Sequence, residues 1–296
     1  MVNKNIESGK TIKFIKDIFV TLLMVVFIQS FFIQGYGTPT GSMLNTILIG
    51  DKMFFNQFIF GASTPRTIPL ISLITHTDIK IPYFSLPAIR EPKREDIVNF
   101  EWPGPRDSVK SAIYFQYLKR IVGQPGDTIL IVNKVLYVNG IVFPNPPASQ
   151  FEPNLRPVSG LCDPQIFPKG KNWNSAFYGP LVVPKKGDVI FLTDKNIVEW
   201  DTFIRRAGHT VEVKTGHIFI DHVETNSYTV EQNFYFMMGD NRDNSLDSRF
   251  WGFVPRENIV AKALIIYWSW DSQIDFSHFG DLLMSIHWNR IGKLLK

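Results

Sequence analysis

The chain has 296 residues, 45% of them hydrophobic and 20% charged, with a formal net charge of +4. That is long enough for a substantial core, and the mild charge with scattered basic residues argues against nucleic acid as a partner. The one cysteine, Cys162, excludes an intramolecular disulfide and a cysteine-based metal cluster, and in a proline-rich stretch it reads as structural or incidental.

At the N-terminus Lys4, Lys10, Lys13 and Lys16 outnumber Glu7 and Asp17, and no charged residue follows from Ile18 to Gly50. Residues 13–33 supply the roughly 20 residues that a bilayer core of ~30 Å requires, so one transmembrane helix is predicted there. The lysine excess puts residues 1–12 in the cytoplasm and the rest of the chain on the extracytoplasmic side of the membrane. A cleavable signal peptide is the competing reading. No Ala-x-Ala triplet follows the apolar run and Gly35-Tyr36-Gly37 is a poor substitute, which favours an uncleaved anchor.

Residues 34–275 show short apolar or alternating runs cut by Gly-Asp, Pro-Gly and Asn-Gly turns, the pattern of a mainly β domain. Strands are expected at 52–58, 97–100, 115–122, 128–132, 135–138, 189–193, 197–201, 217–220, 233–238 and 261–268, with no long helical periodicity between 50 and 275. Segments 61–91 and 144–180 read as insertions, proline-bearing and without period. Pro92-Lys93-Arg94-Glu95-Asp96 and Pro184-Lys185-Lys186-Gly187-Asp188 echo each other and read as two turns that enter strands. Residues 276–296 form a basic amphipathic segment, with Leu283, Ile286 and Ile291 near helical spacing beside Trp288, Arg290, Lys293 and Lys296. It suits either an interfacial helix on an anionic bilayer or a packing helix.

Ser42 opens an apolar run shortly after the predicted anchor, and a serine hydroxyl needs a base before it can act as a nucleophile. None of the six histidines (His76, His209, His217, His222, His278 and His287) lies in a motif that pairs with it. His217 and His222, five apart on a strand, face opposite sides and make a poor metal pair. Lys119 is the other candidate. Leu118, Ile121 and Val122 would desolvate its amine and lower its pKa, and strand alternation turns Arg120 to the opposite face. A lone lysine in a strand is ordinarily a solvated surface charge.

Three stretches taken together resemble type I signal peptidases, the membrane-bound Ser/Lys endopeptidases that remove signal peptides from exported proteins. The first is Thr40-Gly41-Ser42-Met43. The second spells Tyr-x-Lys-Arg-x-x-Gly-x-Pro-Gly-Asp with Tyr117, Lys119, Arg120, Gly123, Pro125, Gly126 and Asp127. The third is Gly239-Asp240-Asn241-Arg242-Asp243-Asn244-Ser245-x-Asp247-Ser248-Arg249, followed by Trp251-Gly252-Phe253-Val254-Pro255.

The resemblance implies a β-barrel or coiled β-sheet catalytic domain working without metal or cofactor on preprotein signal peptides at the bilayer surface. It makes Ser42 the nucleophile and Lys119 the base, with the Ser42 N–H and the Thr40 hydroxyl holding the oxyanion. Ser245 is expected to hydrogen-bond the Lys119 amine, Asp247 to pair with Arg249, and Asp240 to pair with Arg120 or Arg242. Tyr117 supports the lysine, and Tyr36, Thr38, Met53 and Leu118 form the shallow pockets for small residues. Asn45 departs from the family, which has proline there. A self-cleaving repressor, the related alternative, would need a DNA-reading helical domain; a catalytically silent adaptor would have no use for Ser42, Lys119 and Ser245.

Overall fold

The computed structural model describes residues 12–22, 24–25, 33–37, 40–64, 82, 84–110, 115–152 and 158–295. In chain order the strands are β1 (Ile33–Gly37), β2 (Asp51–Asn56), β3 (Ile97–Glu101), β4 (Gln116–Gly123), β5 (Thr128–Val132), β6 (Val135–Val138), β7 (Ile141–Val142) and β8 (Tyr178–Val182). They continue as β9 (Val189–Phe191), β10 (Val211–Lys214), β11 (His217–Ile220), β12 (Val223–Glu224), β13 (Ser227–Thr229), β14 (Phe234–Met238), β15 (Val254–Pro255) and β16 (Ile259–Ser269). The protein is mainly β. Its largest sheet has seven strands in the order β1-β2-β16-β3-β4-β14-β15; smaller sheets run β7-β6-β5-β8, β10-β11-β12 and β13-β9. The seven-stranded sheet is open, with β1 and β15 at its edges, so the barrel half of the expectation is replaced by a sheet that does not close.

Two turns of one build lead into β3 and β9, and a third leads into β5. In each an aspartate closes back on its own loop: Lys93 N–H donates to Asp96 (2.9 Å), Lys185 N–H to Asp188 (2.8 Å) and Gln124 N–H to Asp127 (2.7 Å). The residue before each aspartate sits at positive φ: Glu95 (73°), Gly187 (90°) and Gly126 (88°). The Asp side chain mimics a backbone turn, which is why the sequence echo marks strand entries rather than a duplicated unit.

One predicted strand is a helix. Ile197–Arg206 is α-helical because Ile197, Phe203 and Ile204 share one buried face, with Glu199 in the first turn, Arg205 and Arg206 in the last, and an Asp201–Arg205 pair at i,i+4 (2.9 Å). The β-branched start, Ile197-Val198, reads as strand only over a window too short to show the 3.6-residue period.

Near the N-terminus residues 12–22 and 24–25 are helical, and their apolar side chains, Phe14, Ile15, Phe19 and Leu22 among them, are exposed. Among the described residues no helix is long and apolar enough to cross a membrane. Residues 23 and 26–32 of the predicted span lie outside the described residues, and Ile33, its last residue, begins β1. At the other end a short helix (Phe279–Met284) and a 3-10 turn (Trp288–Arg290) bring the chain back onto β16, where Leu295 N–H donates to Leu264 (2.8 Å) and Leu295 is buried.

Candidate active site

Lys119 lies on β4, flanked by β3, where it faces Val98, and by β14, whose Met238 faces Arg120. Because the third motif starts at Gly239, directly after β14, sheet pairing alone delivers that charged stretch beside the lysine. Ser42 arrives separately, in a 3-10 turn (Gly41–Met43) between β1 and β2. Met43 and Ile47 anchor the turn in a cluster with Met53, Phe55, Ile97 and Leu295. Two bonds from the third motif fasten it: Asn241 N–H donates to the Ser42 carbonyl (3.1 Å) and the Asn241 side chain to the Gly41 carbonyl (3.0 Å). Gly239 has to be glycine, since a Cβ there would fall 2.5 Å from the Ser42 carbonyl oxygen and against the Ser245 hydroxyl as well.

The Lys119 Nζ hydrogen-bonds the Ser42 Oγ. The lysine is 2% exposed, and among the described residues its amine makes no ion pair. Burial pushes its pKa down to about 8, with Asp247 and Asp240 pulling it up and Arg249 opposing them. The aspartates cannot serve as its counter-ions at contact because each is already taken. Asp240 is clamped by the Arg120 fork (2.9 and 2.8 Å) and accepts from the Thr46 hydroxyl (2.6 Å). Asp247 is held by the Arg249 fork (2.8 Å at both oxygens) and by Gly239 N–H (3.2 Å). Burial alone would raise the Asp247 carboxyl, and Arg249 outweighs it, so the group stays below the ordinary carboxylate range. The result is a buried amine with a lowered pKa beside two closed ion pairs, Asp240–Arg120 and Asp247–Arg249.

Several expected residues fall into place around this contact. Tyr117 stacks on Trp251 (centroids 5.4 Å apart) with its ring 5.7 Å from the lysine nitrogen. The Thr40 hydroxyl lies 3.5 Å from the Ser42 hydroxyl, and the Ser42 N–H makes no hydrogen bond among the described residues. Of the two partners open to Asp240, the structure uses Arg120.

Other expectations need correction. The Ser245 hydroxyl does not bond the Lys119 amine: it is buried without a hydrogen-bond partner, near enough to Asp247 to help lower that carboxyl's pKa. Met53, expected in a substrate pocket, is fully buried in the core cluster behind the nucleophile turn. Leu118 is half-buried against the same cluster. Tyr36 sits on β1 opposite Met53, and Thr38 lies outside the described residues. Asn45 has φ 71°, in the left-handed region that proline cannot enter, so the family's proline is incompatible with this turn.

Sequence reading missed the support behind the turn. Arg290, from the C-terminal segment, forks onto Asp51 (3.0 and 2.5 Å) and donates to the Thr46 carbonyl (3.1 Å). Asp51 also caps the Leu48 N–H (2.7 Å). The available signal was the aspartate itself, at the head of a strand whose alternation turns it inward. The insertion 144–180 is likewise tied to the site: Gln150 pairs with the third motif through Gln150 N–H to Asp240 O (3.0 Å) and Arg242 N–H to Gln150 O (2.9 Å).

A family model described as signal peptidase, peptidase S26, matches residues 11–268. The chain belongs to the S26 signal peptidase family. This S26 protein is therefore a serine peptidase, a hydrolase. Among curated relatives it is 31% identical over 290 residues to Signal peptidase I of Buchnera aphidicola subsp. Schizaphis graminum (strain Sg), covering 92% of this chain and 80% of that one. It is 28% identical over 262 residues to Signal peptidase I of Aquifex aeolicus (strain VF5), covering 87% and 84%. A third relative, Signal peptidase I of Pseudomonas aeruginosa, is 29% identical over 266 residues, covering 86% and 72%.

Proposed function

We propose that this S26 peptidase removes signal peptides from exported preproteins, with Ser42 as nucleophile and Lys119 as general base. The observation that carries this reading is the buried, carboxylate-free Lys119 amine in contact with the Ser42 hydroxyl. Lys119 takes the hydroxyl proton as the Ser42 oxygen attacks the scissile carbonyl carbon. The developing oxyanion sits between the Ser42 N–H and the Thr40 hydroxyl. Collapse breaks the C–N bond, and the Lys119 ammonium gives its proton to the leaving amine, the new N-terminus. Lys119 next deprotonates a water that attacks the ester; collapse releases the signal peptide's carboxylate and returns the proton to Ser42. Every proton in this cycle passes through one lysine, and with a pKa of about 8 roughly a tenth of it is free base at pH 7.

The N-terminal stretch supports placement at the outer face of the cytoplasmic membrane. Its described helical residues expose apolar side chains all round, a surface that suits lipid, behind a lysine-rich start. The membrane-anchored reading also puts the site, a few residues beyond the predicted span, where a signal peptide's cut end emerges. Purified full-length protein, Ser42→Ala and Lys119→Met are each mixed with a reporter preprotein and the N-terminus of the product is sequenced. Wild type is expected to cut after a small residue and both variants to lose at least about 10³-fold in kcat; equal cutting by all three removes the dyad.

A further inference from the structure

β14 ends at Met238, so residues 240–242 lie beyond the sheet and their backbone groups find partners on two flanks. On one flank Asn241 holds the nucleophile turn, through its N–H to the Ser42 carbonyl (3.1 Å) and its side chain to the Gly41 carbonyl (3.0 Å). On the other, Gln150 of the insertion 144–180 forms a parallel bridge to Asn241: its N–H donates to the Asp240 carbonyl (3.0 Å) and its carbonyl accepts from the Arg242 N–H (2.9 Å). The strip 240–242 is thus sandwiched between the Ser42 turn and the insertion. Lys119 is fixed separately, on β4. Any drift of the strip is passed through the two Asn241 bonds to Ser42 and shifts its hydroxyl against the amine.

One carboxylate locks the strip to the insertion. Asp243, its side chain 7% exposed, accepts from the Glu152 N–H (2.7 Å) and from the Lys134 ammonium (2.8 Å), and that ammonium lies 6.0 Å from the centre of the Phe151 ring. Residues 150–152 and 240–243 are held as one unit by a lysine that belongs to none of the three motifs. Lys134 sits in the two-residue turn between β5 and β6, where Asn133 and Lys134 have φ 50° and 68°. Turns of this build favour glycine at the second place, and a lysine backbone is strained there. The hairpin by itself gives no reason for a lysine; the ion pair with Asp243 does. We infer that Lys134 is a positioning residue: through Asp243 and the strap Gln150–Glu152 it keeps Asn241, and with it the Ser42 hydroxyl, in register with the Lys119 amine. On this view the insertion is part of what aims the nucleophile. The inference rests on the Ser42/Lys119 reading, and the following test separates the two.

kcat and KM on a reporter preprotein are measured with the full-length enzyme. Lys134→Gly removes the ammonium and relieves the turn, so kcat is expected to fall about tenfold with KM changed less than about twofold. Asp243→Asn, which keeps an acceptor for the Glu152 N–H and loses the ion pair, should match it, and Lys134→Arg should retain most of the rate. Asn241→Ala cuts the link to Ser42. In that background Lys134→Gly should change kcat less than about twofold, because the strap has nothing left to act on. Undiminished kcat in either Lys134→Gly or Asp243→Asn overturns the proposal, and so do effects at positions 134 and 241 that multiply. Full cutting by Ser42→Ala removes the dyad and the proposal together, whereas loss of cutting there with multiplying effects removes the strap alone.

Discussion

Two buried cations lie on either side of the nucleophile turn and are treated in opposite ways. Behind it, Arg290 meets a carboxylate and a carbonyl, so the charge is matched at contact. In front of it, Lys119 is as thoroughly buried and touches a hydroxyl and an aromatic ring, while the nearby aspartates are spent on arginines. The first arrangement is what buried charges require for stability; the second departs from it at the Lys119 amine, and Arg242 nearby is likewise buried with Nε and Nη1 unpartnered among the described residues. What sets Lys119 apart is that its unpaired amine lies against a hydroxyl, the Ser42 Oγ, while Asp240 and Asp247 stay closed on Arg120 and Arg249.

The sharpest way to break the comparison is to remove each cation in turn. Arg290→Met strands the Asp51 carboxylate in the core and is expected to cost about 3–5 kcal/mol, read from urea unfolding. Lys119→Met should do the reverse. Because the folded pKa of about 8 lies below the ordinary 10.5, the folded state disfavours a proton that the unfolded chain binds readily, and this penalty is complete below about pH 8. The variant should gain up to about 3 kcal/mol at pH 7 while losing activity. Between pH 8 and 10.5 wild-type stability rises, and above that window the advantage of the variant vanishes. A Lys119→Met protein less stable than wild type at pH 7 would show the amine to be a structural cation.

A smaller effect is expected at the oxyanion. Thr40→Val should lower kcat by about 10²–10³-fold with KM little changed, while Thr40→Ser keeps the rate. Thr40 is exposed, so unfolding midpoints should hardly move. The same comparison predicts the pH profile. With the neutral amine as base, kcat/KM climbs through about pH 8 and then levels, and in Thr40→Val the whole curve drops without shifting its midpoint.

The motifs made the front of the site legible and left its back hidden, for a physical reason. Ser42, Lys119 and the third motif carry chemistry in their residue types, and sheet pairing of β4 with β14 brings two of the three stretches together. Arg290 carries none until Asp51 is placed opposite it, a contact across 239 positions that no local period encodes. The helix Ile197–Arg206 was lost because its apolar face, read over five residues, looks like a strand. Ser245 was misassigned because a hydroxyl in the right motif does not fix its rotamer, and here the group packs beside Gly239 without a hydrogen-bond partner.

The smallest expected effect concerns Asn45, where the chain departs from its family. At φ 71° the residue holds the left-handed bend that lets Ile47 N–H reach the Met43 carbonyl (2.8 Å) and so closes the turn carrying Ser42. Asparagine tolerates that region at a cost of about 1 kcal/mol and glycine adopts it freely. Asn45→Gly should therefore leave stability within about 1 kcal/mol and kcat within about twofold, since the bend itself is kept. Asn45→Pro, the family's own residue, cannot take a positive φ and has to rebuild the turn; kcat should fall several-fold with KM less affected, because Ser42 moves relative to Lys119 while the rest of the surface stays. An Asn45→Pro enzyme with undiminished kcat would show that the pairing of turn and lysine survives without the bend, and that the Asn241 bonds to Gly41 and Ser42 suffice to hold the hydroxyl against the amine.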